Sequence, residues 1–288
     1  MKVTITNNIR ILIVIILFLY SHTLFSQDNL PSGARVSALS GAGTTLTDLW
    51  ANYHNQAGLA YLEDFTLGFH YENKYAFSLF SLQSFALAIP TRSGTIGTSM
   101  AVFGNPQYFE SKIALAFGKP FGEKFAAGIQ LNMLGVYQSE DYGDMSVLAV
   151  EGGAMAKPTE ALTIGLHVFN PTGASFKKFA NKDIPVIIQA GLGYKLNENL
   201  LLVAEAEKNS LRKGFITAGA EYFFIGSVCA RIGFSTSEYS NYSFGFGFVQ
   251  RRIRADMAFS ENKILGYSAH FSLSYSFFHS QNDQDEMN

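Results

Sequence analysis

The stretch LGYSAHFSLSYSF, residues 265–277, decides the fold. Leu265, Tyr267, Ala269, Phe271, Leu273, Tyr275 and Phe277 alternate with Gly266, Ser268, His270, Ser272, Ser274 and Ser276. Side chains on a strand point alternately to opposite faces, so this segment is a strand with one apolar and one polar side. The same dyad recurs upstream. Tyr242, Phe244, Phe246 and Phe248 stand against Ser243, Gly245 and Gly247, and Val228, Ala230, Ile232 and Phe234 against Cys229, Arg231 and Gly233.

Working outward, the pattern predicts about fourteen strands. They run over 65–72, 82–90, 94–104, 108–119, 124–138, 145–157, 161–170, 184–195, 199–208, 213–224, 226–236, 240–249, 250–260 and 265–278. Most are near the length of roughly ten residues that a tilted strand needs to cross a bilayer. The connections separate into two classes. Thr91–Ser93, Pro120–Glu123, Pro158–Glu160, Leu196–Asn199, Ile225 and Val249–Arg251 are tight, whereas Asn73–Ser81, Ser139–Asp144, Pro171–Asp183 and Ser235–Tyr239 are generally longer. Outer-membrane barrels have short periplasmic turns and longer external loops, and an even strand count returns both termini to one side.

Composition agrees. Aromatics make up 14% and charged residues 15% of the chain, against a typical quarter for the latter, and there are 26 glycines. A soluble β-sandwich also alternates, but its outer faces carry Lys and Glu, where these strands carry Gly, Ser and Thr opposite their aromatic sides. The net charge of −2 and the absence of a basic tract exclude a nucleic-acid partner. Cys229 is the sole cysteine, too few for a disulfide or a cysteine zinc site.

The N-terminus reads as an address. Lys2 and Arg10 precede an apolar run, Ile11–Tyr20, then Ser21–Ser26 and Gln27, the layout of a secretory signal peptide over 1–26. An uncleaved anchor over Ile9–Phe25 is the other reading. The segment 27–62 is expected to be a plug, 63–278 the barrel and 279–288 a polar tail. In the plug, Leu46, Leu49, Trp50, Leu59 and Leu62 need cover that the barrel interior provides, or else the segment caps the rim. Asp48 is expected to cap a short helix, with Asn55 and Gly58 fixing its exit.

Orienting each strand by its apolar face puts Glu151, Glu205, Glu207, Glu221, Arg231, Arg252, Arg254, Asp256 and His270 in the lumen. A Lys or Arg facing mid-bilayer lipid costs about 2–4 kcal/mol. Cross-lumen pairing that stiffens the barrel is the favoured reading of these charges, a substrate path the alternative. Gly94, Gly97 and Gly104 permit a kink in the third strand, or ease packing of the plug. His270 and Ser272 share a face, as in a barrel phospholipase, but Leu273 and Ser274 follow instead of Asn-Gly, and the pair points inward. Neither a catalytic residue, a cofactor nor a metal-ligand spacing is predicted.

GARVSALSGAG (33–43), NQAGLA (55–60), VFNPTG (168–173) and ADMAFSENKILGYSAHFSLSYSF (255–277) resemble the PorV/PorQ-type outer-membrane proteins, themselves similar to the FadL long-chain fatty-acid transporters. Gln56 stands where that group usually has proline. The resemblance implies a Gram-negative outer-membrane location, a fourteen-strand barrel and an N-terminal hatch. Its FadL branch implies passive uptake of hydrophobic small molecules, often with a lateral opening beside a kinked strand. Its PorV branch implies an accessory of type IX secretion that binds secreted proteins, though those members tend to be larger, with longer outer loops. A structural barrel with a closed lumen is the third reading.

Overall fold

The computed structural model describes residues 29–77, 79–139, 144–176, 183–237 and 241–277; the expected leader and polar tail lie outside them. Fourteen strands form: β1 Phe65–Asn73, β2 Ser81–Thr91, β3 Gly94–Asn105, β4 Tyr108–Phe121, β5 Phe125–Gln138, β6 Met145–Ala156, β7 Leu162–Phe169, β8 Ile187–Lys195, β9 Leu200–Asn209, β10 Phe215–Ile225, β11 Val228–Ser235, β12 Asn241–Gln250, β13 Ile253–Asn262 and β14 Gly266–Phe277. Each pairs antiparallel with its neighbours in sequence, and β1 pairs with β14 to close the barrel. Closure leaves no unpaired edge, the condition for a sheet in hydrocarbon.

The two-residue period becomes an inside and an outside. On β12, Tyr242, Phe244, Phe246 and Phe248 are exposed, while Ser243, Gly245 and Gly247 are buried. Every strand carries large exposed apolar side chains on its outer face, from Phe69 and Phe85 round to Met257 and Phe271. So continuous an apolar surface far exceeds the few hundred Å² that a water-soluble monomer exposes. The closed sheet and its greasy exterior exclude the soluble sandwich. Among the described residues no helix is long and apolar enough to cross a membrane.

Strand ends depart from the expected ones where local chemistry intervenes. Gln250 pairs with Ile253, so Arg251, at φ 46°, and Arg252 form a two-residue turn instead of opening β13. Arg252 is therefore exposed at the rim and does not line the lumen. β8 starts at Ile187 and not at 184, because Ile184 folds inward with the preceding loop. The third strand carries no register break. β3 keeps register with β2 from Gly94 to Gly104 and with β4 from Thr95 to Asn105. Gly94 (φ 146°) and Gly104 (φ 123°) sit at its ends, and a Cβ on Gly97 would collide with Asn52 and Leu59. The one register shift among the described ladders is in β10, between Phe223 and Ile225.

Ahead of β1, residues 29–62 form two short helices, α1 (Ala34–Ala38) and α2 (Ala51–His54), and a 3-10 helix, Gln56–Tyr61. The segment runs inside the barrel. α1 packs on β11 to β14, and the 3-10 helix on β3 to β6. Thr44 and Thr45, between the helices, lie against β7 and β8, and Leu49 against β1.

Candidate functional site: the lumen and its N-terminal segment

Inward glycines make room for this segment. A Cβ on Gly118 or Gly128 would strike the Gln56 backbone, on Gly153 the Asn55 amide, on Gly165 the Thr44 carbonyl, and on Gly233 the Leu39–Ser40 peptide. Backbone can approach backbone this closely only where a side chain is missing. The apolar residues of the segment are covered as a result: Leu39, Leu46, Leu49, Trp50, Tyr53 and Leu59 are all at most 3% exposed. Each such side chain contributes about 1.5–3 kcal/mol relative to remaining in water.

Charge fixes the segment at the end of the barrel that carries the short turns. Arg35 of α1 donates from Nε and Nη2 to Glu221 at 2.8 and 2.5 Å and from Nη1 to Asp48 at 3.0 Å. Arg231 donates to Glu221 at 2.5 Å and pairs with Asp256 at 2.8 Å, and Arg254 donates to Asp256 at 2.9 Å. Three guanidinium groups thus meet three carboxylates. Burial pushes the Asp48 carboxyl up, but Arg35 and Arg254 outweigh it and hold it below the usual carboxylate range. Burial, aided by the positive charges of His167 and Lys112, drives the His54 imidazole down to about 4, so it is neutral at pH 7, with Nε2 at 2.7 Å from the Ser32 carbonyl. A cavity of about 590 Å³ opens at this end between Arg35, Glu160, Lys195, Leu201 and Glu221.

A second polar layer crosses the lumen at mid-depth. Glu151 accepts from Lys112 at 2.7 Å, Gln130 at 2.5 Å and His167 at 2.9 Å. Glu205 accepts from the Gly43 and Thr44 backbone at 3.0 and 2.9 Å and from Thr44 Oγ1 at 2.8 Å. Gln189 bridges Glu205 and Glu207 at 2.9 and 3.1 Å. Of the predicted lumenal charges, Glu151, Glu205, Glu207, Glu221, Arg231, Arg254 and Asp256 thus meet partners inside the barrel. Lys112 and His167 occupy inward positions that the sequence reading passed over, although Ile113, Leu115 and Phe117 on the outer face marked the parity of β4.

The remaining predicted residues act differently from expectation. Asp48 does not cap α2, whose N-cap is Trp50 with no side-chain bond; its Oδ1 accepts from the Trp50 N–H at 2.9 Å, capping the turn that leads into the helix. Asn55 is the N-cap of the 3-10 helix, accepting from Ala57 N–H at 3.1 Å while donating to the Thr44 carbonyl at 2.7 Å. Gly58 lies inside that helix and is needed for contact with the Leu46 carbonyl, not for a turn. His270 and Ser272 do not pair: His270 Nε2 is 3.0 Å from Ser260 Oγ, and Ser272 Oγ accepts from Ala34 N–H at 3.3 Å.

Above the mid-depth layer, at the end with the longer connections, the lumen turns apolar. Leu134, Val136, Met145, Ala149, Phe169, Phe176, Ile184 and Ile187 form one buried cluster. Asn170, in the VFNPTG motif, holds the loop over it by donating to the carbonyls of Ala174 and Ile184 at 3.0 and 3.1 Å. Its positive φ of 53° suits an asparagine. No motif in the sequence singles out this cluster.

No protein-family model and no curated protein matches the chain. Solved structures do. The Ralstonia pickettii toluene transporter TbuX superposes with TM-score 0.68 at 12% identity, over 87% of this chain and 100% of that one. The Pseudomonas putida toluene transporter TodX gives 0.64 at 12% identity, over 88% and 100%. A Pseudomonas aeruginosa FadL homologue gives 0.59 at 13% identity, over 85% and 98%. The fold is that of FadL-like hydrocarbon transporters.

Proposed function

We propose that this chain is a Gram-negative outer-membrane barrel that admits small hydrophobic molecules passively, with residues 29–62 as its plug. The observation that carries the reading is the order of chemistry down the lumen: a buried apolar cluster under the longer loops, then polar layers, then the segment seated on inward glycines. An apolar lining with few polar groups suits a hydrophobic ligand, and the longer loops mark the external end. Parting of this cluster would admit ligand from outside, and partial movement of the plug would release it toward the cavity beside Arg35 and Glu221. Neither a cofactor nor a covalent step is required. The FadL-like fold and the naming of TbuX and TodX as toluene transporters support this ligand class.

The test is uptake by cells that lack their own hydrocarbon channel. Expression of this chain is expected to raise the initial uptake rate of a monoaromatic hydrocarbon without raising that of a sugar of similar size. Phe169→Asp, which puts a carboxylate in the apolar cluster, is expected to lower the rate several-fold. Equal entry of hydrocarbon and sugar would count against selective uptake. The motifs at 33–43 and 55–60 keep a secretion accessory as the second reading. Retention of secreted proteins in the periplasm of a deletion strain, with hydrocarbon uptake unchanged, would favour it.

A further inference from the structure

Three side chains at the seam where the barrel closes belong to neither polar layer. Glu72 of β1 stands directly opposite His270 of β14, and His70 lies two residues back, opposite Ser272. Alternate residues share a face, and opposed or diagonal neighbours on it lie about 5–8 Å apart, so the register alone gathers all three. They are buried: His70 is 0%, Glu72 7% and His270 8% exposed. One ligand atom from each lies within 4.8 Å of the others. His270 Nδ1 is 3.9 Å from Glu72 Oε2, and the two imidazoles stack with centroids 6.0 Å apart.

The cluster also holds unused valence. By geometry neither His70 nitrogen nor His270 Nδ1 makes a well-formed hydrogen bond, although the Phe271 backbone lies near His70, and a buried polar atom left unpaired is costly. With His270 Nε2–H donating to Ser260 Oγ, the Nδ1 lone pair is left for a ligand beside Glu72. A metal-bound histidine is oriented in this way by a partner on its other nitrogen. We propose that His70, Glu72 and His270 bind one divalent transition-metal ion of the zinc class, with water completing the coordination. Two imidazoles and a carboxylate are a borderline donor set that suits Zn²⁺ or Co²⁺ and not an alkali cation. Bonds of about 2.0–2.2 Å require the ligand atoms to close to roughly 3.4 Å, a movement of side-chain torsions. The ion would tie the first strand to the last. His70 meets Trp50 edge-on at 5.7 Å, so it would also brace the wall against which the plug packs. Lys74, whose ammonium lies 4.9 Å from the Phe103 ring centroid, is the cation near this cluster and opposes a second positive charge.

Trp50 is the only tryptophan, which makes the test direct. The untagged full chain in detergent, stripped with chelator, is titrated with Co²⁺ in excess Mg²⁺. One equivalent of Co²⁺ is expected to quench Trp50 and give visible absorption bands, and Zn²⁺ to reverse both. His70→Ala and His270→Ala are each expected to weaken binding at least tenfold, and Glu72→Gln less. Lys74→Gln is expected to tighten it. A heat-modifiable gel shift certifies that each variant is folded. Absence of stoichiometric quenching in the native chain overturns the proposal. So does quenching that survives in folded His270→Ala, or weaker binding in Lys74→Gln.

Discussion

Removal of residues 29–62 is expected to convert the folded chain into an open, ion-conducting pore, whereas the intact chain in a planar bilayer conducts little. The segment touches the inner wall on every side, from β11 to β14 through α1, at β7 and β8 through Thr44 and Thr45, and at β3 to β6 through the 3-10 helix. Without it, the inward faces of these strands present Gly97, Gly118, Gly128, Gly153 and Gly233, which leave an unfilled bore. A barrel of this strand number is wider than the eight-stranded ones that side chains alone can fill. The truncated chain also loses the burial of Trp50, Tyr53 and four leucines, at about 1.5–3 kcal/mol each, so its unfolded band should appear at lower temperature. Equal conductance of the two proteins, both confirmed as folded by heat-modifiable migration, would show that the segment does not seal the lumen.

Replacement of Arg231 by Met is expected to be the most destabilising single substitution in the lumen. The guanidinium is 1% exposed and lies between Glu221 and Asp256, with Cys229 Sγ at 2.9 Å. Removing one partner of a buried ion pair leaves an uncompensated charge and costs about 3–5 kcal/mol. Arg35 and Arg254 still reach the two carboxylates, which places the expected loss toward the lower end of that range. The check is the temperature at which the compact gel band gives way to the unfolded one, with Arg231→Lys retaining more stability than Arg231→Met. Unchanged melting in Arg231→Met would mean that the network is dispensable.

How far the sequence could be read depended on whether the partner of a residue was local. The alternation at 265–277 identifies a barrel strand because period two is written in adjacent residues. The same parity on β10, β11 and β13 places Glu221, Arg231 and Asp256 inside without any structure. Arg35, which completes their network, sits in a five-residue helix with no periodicity to orient it. The glycines were visible as composition, but their purpose depends on Gln56, Asn55 and Thr44, which lie far away in sequence. Arg252 was misplaced because the two-residue turn Arg251–Arg252 delays the start of β13 to Ile253. The cluster His70, Glu72 and His270 matches no metal-ligand spacing along the chain. Its members meet only because the first strand pairs with the last.

The central claim is that alternate positions of each strand face lipid and lumen, with residues 29–62 held inside. Bilayers containing bromine-labelled phospholipid test it, since bromine quenches tryptophan only on contact with acyl chains. In proteoliposomes, native Trp50 should be nearly unaffected. A Phe246→Trp reporter on the outer face of β12, in a Trp50→Phe background, should be strongly quenched. Strong quenching of Trp50, or none at position 246, would contradict the assignment of faces.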